Sequence, residues 1–131
     1  PFEVFNYGKM SRDFTYVDDI VESIKRLLPL APKLNNPKFD AKHPDPSMSS
    51  APYQLFNIGN NSPVQLMDYI HAIEKAVGKK GKIVFKPMQP GDVAATYADV
   101  QSLYDYINFK PNTPIELGIQ AFVDKYLELN K

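Results

Sequence analysis

The sequence predicts an α/β fold, because short apolar runs typical of strands alternate with longer segments of helical periodicity. The candidate strands are rich in β-branched and aromatic residues, and turn-forming residues follow them. The candidate helices carry apolar residues three and four positions apart, so each has one apolar face. The run at residues 53–58 is apolar almost throughout, which is typical of a strand covered on both faces in a parallel sheet.

Length and charge place the chain among ordinary globular domains. Its 131 residues are about one domain, and 15 basic and 15 acidic side chains give zero net charge. No overall field therefore attracts nucleic acid or an anionic membrane, and we expect neither as a partner. The absence of cysteine excludes disulfide bonds and thiolate metal sites and fits a reducing compartment.

The start of the sequence indicates a piece of a longer protein. The chain begins at Pro1, without an initiator methionine, and residues 2–5 already alternate as a strand does. A turn follows, in which Gly8 is expected to adopt a positive φ angle. We therefore expect partner surfaces and catalytic residues upstream of Pro1.

The next unit is a predicted strand at residues 14–17, followed at once by a helix. Asp19 and Glu22 have the spacing of a capping box at the start of that helix. Its apolar side chains form one stripe, which we expect to pack against a sheet: Ile20, Val21, Ile24, Leu27 and Leu28.

Residues 29–52 are predicted to form a long surface loop. Six prolines and few large apolar residues in this range exclude a continuous helix or a central strand. Loops of this length are usually functional or poorly ordered, and the sequence leaves open whether this one is ordered.

The strand at residues 53–58 is followed by the most complete helix signature in the sequence. Ser62, Pro63 and Gln65 have the types and spacing of a helix start, and Gly78 is expected to end the helix. The predicted buried face consists of Leu66, Ile70, Ile73 and Val77.

The last third of the chain contains one more predicted strand and two helices. The strand covers residues 82–86, and a turn follows at Pro90 and Gly91. Asp99 is expected to cap a short helix, and residues 113–116 repeat the capping signature before a final helix. That helix is predicted to bury Ile115, Ile119, Phe122 and Tyr126.

Two motifs that suggest catalysis or metal binding are weak. Tyr106 and Lys110 have the Tyr-x-x-x-Lys spacing, but Pro111 disfavours helical geometry at Lys110, so the two side chains should diverge. His43 and His71 have no second ligand at metal spacing, and we expect both on the surface. We therefore predict no catalytic residue and no metal ligand in this chain.

Arg12 and the Gln89–Asp92 turn are the stronger candidates for ligand binding. Arg12 precedes a predicted strand, where its planar guanidinium can bind a diphosphate or a carboxylate. The alternative is an ion pair with Asp13 or another neighbouring acid. Gln89 and Asp92 flank a turn that fixes their direction, so they can bind a pair of ligand hydroxyls; the alternative is a turn capped by its own aspartate.

Several segments together resemble the C-terminal part of the NAD-dependent nucleotide-sugar epimerases of the extended short-chain dehydrogenase family. The greatest similarity is to the bacterial and plant UDP-glucuronate 4-epimerases, and it extends to the proline-rich loop. The segments that carry it are residues 4–10, 12–21, 53–63, 88–93 and 96–99.

The resemblance implies that the fold is the C-terminal substrate-binding part of an extended short-chain dehydrogenase. Residues 13–28 and 53–58 would then complete the edge of a Rossmann-type sheet and pack on a missing N-terminal Rossmann domain. That missing part would also bind most of the NAD, because the glycine-rich cofactor loop and the catalytic tyrosine and lysine of the family have no match here.

The resemblance also implies roles for four residues. Arg12 is expected to hold the UDP diphosphate, and Asp92 to bind the ribose. Gln89 lies where galactose epimerases carry an arginine, so a phosphate contact there stays open. Phe5 and its neighbouring backbone resemble the strand that contacts uracil.

The activity implied for the intact enzyme is interconversion of UDP-glucuronate and UDP-galacturonate through a 4-keto intermediate that rotates before re-reduction. A cytoplasmic location and a role in polysaccharide biosynthesis are implied as well, and a homodimer is left open. The fragment alone is predicted to be inactive. The alternatives are another UDP-sugar epimerase or dehydratase of the family, or a stand-alone binding or scaffold domain.

Overall fold

A computed structural model of the chain describes residues 1–130 and shows short strands that alternate with helices. The α/β prediction is therefore confirmed. The strands are β1 (Phe2–Val4), β2 (Ser11–Arg12), β3 (Val64–Gln65) and β4 (Ile83–Phe85). The helices are α1 (Val17–Leu27), α2 (Leu66–Val77), α3 (Gln101–Ile107) and α4 (Ile115–Leu129).

The strands form two separate pairs. β1 and β4 are parallel, with Glu3 opposite Val84, although the two strands lie near opposite ends of residues 2–85. β2 and β3 are antiparallel, with Arg12 opposite Val64. Ser11 also forms a parallel bridge with Ala95, so the chain is paired on both sides of β2.

The connection between β1 and β2 has backbone angles that few residues tolerate. Asn6, Tyr7 and Gly8 all have positive φ angles, of 48°, 51° and 79°. Gly8 is buried, and an added Cβ would lie 2.8 Å from the sulfur of Met67. The predicted positive φ of Gly8 is confirmed, and close approach to α2 is a second reason for glycine here.

The core lies where α2 meets α4 and where α1 meets α3. Ile70 of α2 is buried with Ile119 and Val123 of α4. The remaining buried apolar residues are Val4, Met10, Val100, Leu103 and Ile107.

Two predicted strands are wrong within the described residues. Residues 14–16 are irregular and Val17 already begins α1, whereas residues 53–58 contain only an isolated bridge between Gln54 and Met48. Within residues 1–130 neither segment has a strand beside it. Aromatic and β-branched residues favour a strand only where a neighbouring strand accepts its hydrogen bonds.

Three predicted helix caps are also wrong. Asp19 accepts the backbone N–H of Thr113 at 3.0 Å, and Glu22 pairs with Arg26 at 2.7 Å, so they do not form a capping box. α2 begins at Leu66 rather than after Ser62, because residues 64–65 first pair with β2. α4 has no side-chain cap.

Other predicted boundaries are confirmed. Gly78 ends α2 with a left-handed φ of 71°, and Asp99 accepts the N–H of Gln101 at the start of α3 at 3.0 Å. The strand predicted at residues 82–86 is present as β4.

The apolar stripes are covered unevenly. On the stripe predicted for the first helix, Val21, Ile24 and Leu28 are 56%, 47% and 76% exposed, so within residues 1–130 no sheet covers these side chains. In α4, Ile119 is buried as predicted, but Phe122 is 70% exposed. Tyr126, also predicted to be buried, is exposed as well. Helical periodicity identifies the apolar face, but the element that covers it is decided by the tertiary fold.

Residues 29–52 consist of turns and bends with one bridge at Met48 and contain no helix or strand element. Short side chains bind the backbone two residues ahead, as Asp40 does with the N–H of Lys42 at 2.8 Å and Asp45 with that of Ser47 at 2.8 Å. This backbone bond holds the pKa of Asp45 below its usual range. None of the helices over residues 1–130 combines the length and the apolar character that crossing a membrane requires.

Candidate functional site

A cleft of about 900 Å³ lies between β1, α2 and the segment that leads into β4. Three of the four predicted ligand-binding residues, Phe5, Arg12 and Asp92, line this cleft. Gln89 is exposed and does not line it. The apolar wall includes Leu66, Tyr69, Ile70 and Ile73.

The backbone around Arg12 is held from both sides. On one side, β2 pairs with β3. On the other side, the N–H of Ser11 donates to the carbonyl of Ala94 at 2.9 Å, and the N–H of Thr96 donates to the carbonyl of Ser11 at 3.3 Å. Arg12 therefore extends from a fixed backbone, and the segment after Asp92 is aligned with it.

The Arg12 guanidinium is bound by three oxygens. Nη1 donates to the carbonyl of Ser11 at 2.8 Å and to that of Ala94 at 3.4 Å, and Nη2 donates to Oδ1 of Asp92 at 2.9 Å. The two charged side chains are 27% and 31% exposed, so the ion pair is half-buried. The acid that pairs with Arg12 is thus Asp92 and not Asp13.

The direction of Asp92 is set by the turn before it. The N–H of Asp92 donates to the carbonyl of Gln89 at 3.2 Å, and Gly91 has a φ of 83°, which a Pro-Gly turn of this kind requires at its third position. The predicted turn at Pro90 and Gly91 is confirmed. Oδ1 of Asp92 also accepts the N–H of Val93 at 2.8 Å.

Sequence reasoning missed the role of Asp13. Its Oδ1 accepts the N–H of Ser62 at 3.1 Å, and its Oδ2 accepts those of Asn61 at 3.0 Å and Ala98 at 3.3 Å. Gly59 passes so close that an added Cβ would lie 2.9 Å from Oδ2 of Asp13. Asp13 therefore joins its own segment to two distant loops, at residues 59–62 and at Ala98. The one sequence signal was the Asn-rich turn at residues 60–62.

The outer end of the cleft is charged. Glu74 accepts hydrogen bonds from Nζ of Lys80 at 2.8 Å and from the N–H of Gly81 at 2.8 Å. These two contacts hold the pKa of Glu74 below its ordinary value, the ammonium contributing most. Lys79 and Lys82 line the same end, so cations outnumber anions there.

The weak motifs do not form a site. The hydroxyl of Tyr106 donates to the carbonyl of Leu30 at 2.6 Å. Asn108 ends α3 with a left-handed φ of 48°, so Lys110 does not share a helix with Tyr106, as predicted. His43 and His71 are both exposed, also as predicted.

Comparison with known proteins defines the class of fold. No protein-family model matches the chain. The crystal structure of UDP-glucuronic acid 4-epimerase from Bacillus cereus, in complex with UDP-glucuronic acid and NAD, superposes with a TM-score of 0.73 at 24% identity, over 98% of this chain and 36% of that one. The chain has the fold of the C-terminal part of the extended short-chain dehydrogenases.

Within that class, the chain is homologous to the UDP-glucuronate 4-epimerases over nearly its whole length. It is 40% identical over 126 residues to the probable UDP-glucuronate 4-epimerase of Rhizobium meliloti, and the aligned region covers 96% of this chain and 37% of that protein. It is 51% identical over 129 residues to the protein CapI of Staphylococcus aureus, and the aligned region covers 98% of this chain and 38% of that protein. The chain therefore spans less than two fifths of the length of these relatives.

These comparisons confirm the resemblance inferred from the sequence. They also support the NAD prediction, because the structurally similar UDP-glucuronic acid 4-epimerase of Bacillus cereus is solved in complex with NAD.

Proposed function

We propose that this chain is the UDP-sugar-binding portion of an NAD-dependent epimerase that interconverts UDP-glucuronate and UDP-galacturonate. The observation that carries the proposal is the convergence of Phe5, Arg12 and Asp92 on one cleft, although Asp92 lies 80 residues after Arg12 in the sequence. The names of the homologous proteins supply the substrate class.

The chemistry of the cleft fits a nucleoside diphosphate. Arg12 presents a cation that is suited to phosphate oxygens, and Asp92 presents a carboxylate that can accept hydrogen bonds from ribose hydroxyls. Phe5, next to β1, provides apolar surface for a flat base. Gln89 lies outside the cleft wall, on the turn that carries Asp92, so we keep it as a residue that reaches the nucleotide from the rim.

In this proposal the chain binds the UDP part and leaves the sugar free to turn. Binding energy from the nucleotide positions the sugar without fixing which of its faces is presented. NAD, when bound, supplies hydride transfer in the intact enzyme. Among residues 1–130 no glycine-rich loop connects a strand to a helix, so we assign no NAD contact and no catalytic residue to this chain.

The exposed apolar face of α1 supports the proposed domain organisation. Val21, Ile24 and Leu28 lie on it, within the 13–28 segment that we propose packs on an N-terminal Rossmann domain together with 53–58. Such a face is stable in water only at a cost, because apolar surface favours burial. The proposal includes a cytoplasmic location, a role in polysaccharide biosynthesis, and a homodimer as one arrangement of the intact enzyme.

The binding part of the proposal is tested by titrating the 131-residue chain with UDP and recording two-dimensional amide NMR spectra. We expect shifts concentrated at residues 11–13 and 89–93. Arg12→Lys should weaken binding about tenfold or more, because an ammonium cannot make the paired contacts of a guanidinium. A dispersed spectrum that ignores UDP would contradict nucleotide binding by this chain.

The substrate assignment is tested on the intact enzyme that contains this chain. Incubation with UDP-glucuronate and NAD should yield UDP-galacturonate, which chromatography separates from the substrate. If another UDP-sugar is converted instead, the chain belongs to a neighbouring epimerase or dehydratase. If no UDP-sugar is converted although UDP binds, a binding or scaffold domain is the better description.

A further inference from the structure

The Arg12–Asp92 ion pair joins two residues that the proposed function assigns to different parts of the nucleotide. We propose that Asp92 is a positioning residue for Arg12: its carboxylate aims the guanidinium at the diphosphate, so Asp92 selects nucleoside diphosphates over nucleosides. This inference rests on the proposed function and adds to it the route by which Asp92 acts. Its basis is the set of contacts around the two side chains.

Arg12 retains hydrogen-bond donors for a ligand. A guanidinium has five N–H groups. Three acceptors contact it: two carbonyls on Nη1, and Asp92 on Nη2. Within residues 1–130 the N–H of Nε and one N–H of Nη2 have no acceptor. These two nitrogens are neighbours, and they can bind phosphate oxygens while the existing contacts stay in place.

Asp92 retains one carboxylate oxygen that can accept a hydrogen bond from a ligand. Oδ1 accepts both the Arg12 guanidinium at 2.9 Å and the N–H of Val93 at 2.8 Å. Oδ2 has no hydrogen-bond donor among the described residues. A ribose hydroxyl can therefore reach Oδ2 without breaking the ion pair, so both contacts of Asp92 are compatible with a bound nucleotide.

Without the Asp92 carboxylate, Arg12 is held, among the described residues, only by backbone carbonyls. The remaining contacts are carbonyls at 2.8 Å and 3.4 Å, both on Nη1, the second of them long for a hydrogen bond. The guanidinium would then be held at one nitrogen and would pivot about it. The ligand would then have to order the side chain on binding, and the lost conformational entropy would lower its affinity.

A carboxylate next to a diphosphate also repels it, and this second effect opposes the first. Asp92→Asn separates the two, because the amide keeps an oxygen for the ribose hydroxyl but loses the charge that attracts Arg12. If positioning is the larger effect, the variant loses affinity for diphosphates. If repulsion is larger, the variant gains affinity.

The experiment measures the dissociation constants of uridine, UDP and inorganic pyrophosphate by NMR titration at low ionic strength, for the wild-type chain, Asp92→Asn, Arg12→Met and the double variant. We expect Asp92→Asn to weaken UDP and pyrophosphate about tenfold, the effect of losing a charged hydrogen-bond partner, and to weaken uridine less than about twofold. The double variant should bind UDP no more weakly than Arg12→Met. Glu22→Gln is the matched control, because it removes an ion pair of 2.7 Å outside the cleft and should change no affinity.

Equal loss of uridine and UDP affinity in Asp92→Asn would overturn the inference, because Asp92 would then act on the ribose alone. Tighter UDP binding would overturn it as well. A wild-type chain that binds pyrophosphate but neither UDP nor uridine would contradict the proposed function, while the pyrophosphate values of the variants still decide the positioning role. A chain that binds none of the three contradicts both. Dispersed amide spectra of each variant establish that its fold is retained.

Discussion

Two aspartates flank Arg12 in space, and they use their oxygens differently. Both oxygens of Asp13 accept hydrogen bonds, from three backbone N–H groups that belong to two other loops. In Asp92, one oxygen accepts hydrogen bonds from Arg12 and Val93, and the other oxygen has no protein donor in the described residues. The difference indicates two roles. A carboxylate whose two oxygens both accept backbone hydrogen bonds stabilises the fold, and a carboxylate with a free oxygen can bind a ligand.

Asp19 belongs with Asp13 in this comparison. It is 8% exposed, and its Oδ2 accepts the N–H of Thr113 from the segment before α4. A buried N–H that loses its acceptor costs about 1–3 kcal/mol. We therefore expect substitutions of the two structural aspartates to lower stability, and substitutions near Asp92 to lower affinity.

The largest expected effect follows from Asp13→Ala. Three backbone N–H groups lose a carboxylate acceptor. At about 1 kcal/mol for each hydrogen bond, we expect the free energy of unfolding to fall by about 3 kcal/mol. Urea denaturation measures this change. Asp13→Asn keeps one acceptor oxygen and should lose about half as much. A loss below about 0.5 kcal/mol for Asp13→Ala would break the comparison, since Asp13 would then be no more structural than a surface acid.

The next effect is that of Asp19→Ala, which removes a buried carboxylate and leaves the half-buried Thr113 N–H without its acceptor. We expect a loss of about 2 kcal/mol in the free energy of unfolding. The matched control is Asp18→Ala, because Asp18 is exposed in the same first turn of α1 and should cost only about 0.5 kcal/mol. Equal losses in the two variants would mean that the helix dipole, not the Thr113 contact, accounts for the effect of Asp19.

A pair of glycine substitutions sharpens the comparison between stability and affinity. Gly91 and Gly78 have similar φ angles, 83° and 71°, and an added Cβ would meet no atom within 4 Å at either position. Alanine should therefore cost about 1 kcal/mol of stability at both, through backbone strain alone. Only Gly91→Ala should also weaken UDP binding, because it distorts the turn that aims Asp92. Thermal melting and UDP titration of both variants separate the two effects, and equal affinities would contradict the role of the turn.

The smallest effect concerns the pH dependence contributed by Glu74. Its pKa is lowered in the folded chain by Lys80 and by the N–H of Gly81, so the folded state binds its proton less readily than the unfolded state does. The contribution of Glu74 to stability is therefore full above its ordinary pKa of 4.5 and is lost as the pH falls below that value through the folded pKa. The denaturation free energies of the wild-type chain and Glu74→Gln should differ at pH 6.5, and the difference should shrink as the pH falls below 4.5. A constant difference would show that the Lys80 and Gly81 contacts do not depend on charge.

The sequence predicted local features well where one or two neighbouring residues decide them. Gly8, Gly78 and the Pro90–Gly91 turn have the predicted conformations, because glycine and proline restrict or permit backbone angles directly. Strands at 14–17 and 53–58 were wrong, since a strand depends on a neighbour that the local sequence does not reveal.

The candidate site was predicted in its members but not in its connections. Arg12, Asp92 and Phe5 do line one cleft. The partner of Arg12 lies 80 residues away, and one donor to Asp13 lies 85 residues away. No short-range pattern identifies such pairs, which is why the loop-joining role of Asp13 was missed although its neighbour was singled out.

Helices α1 and α2 show the same limit for packing. Both have an apolar stripe at helical spacing, yet Ile70 of α2 is 7% exposed and Val21 of α1 is 56% exposed. α2 meets α4, whereas α1 contacts α3 and leaves Val21, Ile24 and Leu28 of its stripe exposed. Periodicity was correct about the stripe in each case and could not specify its partner.

The parallel pairing of β1 with β4 has a consequence for how the chain folds. Joining these strands, and with them Arg12 and Asp92, closes a loop of about 80 residues, and the entropy of that closure is lost before the contacts form. Contacts between distant segments slow folding, so the cleft should assemble late and report on the whole chain rather than on one part of it. A nucleotide that binds only this assembled state would raise the melting temperature of the entire chain, by mass action.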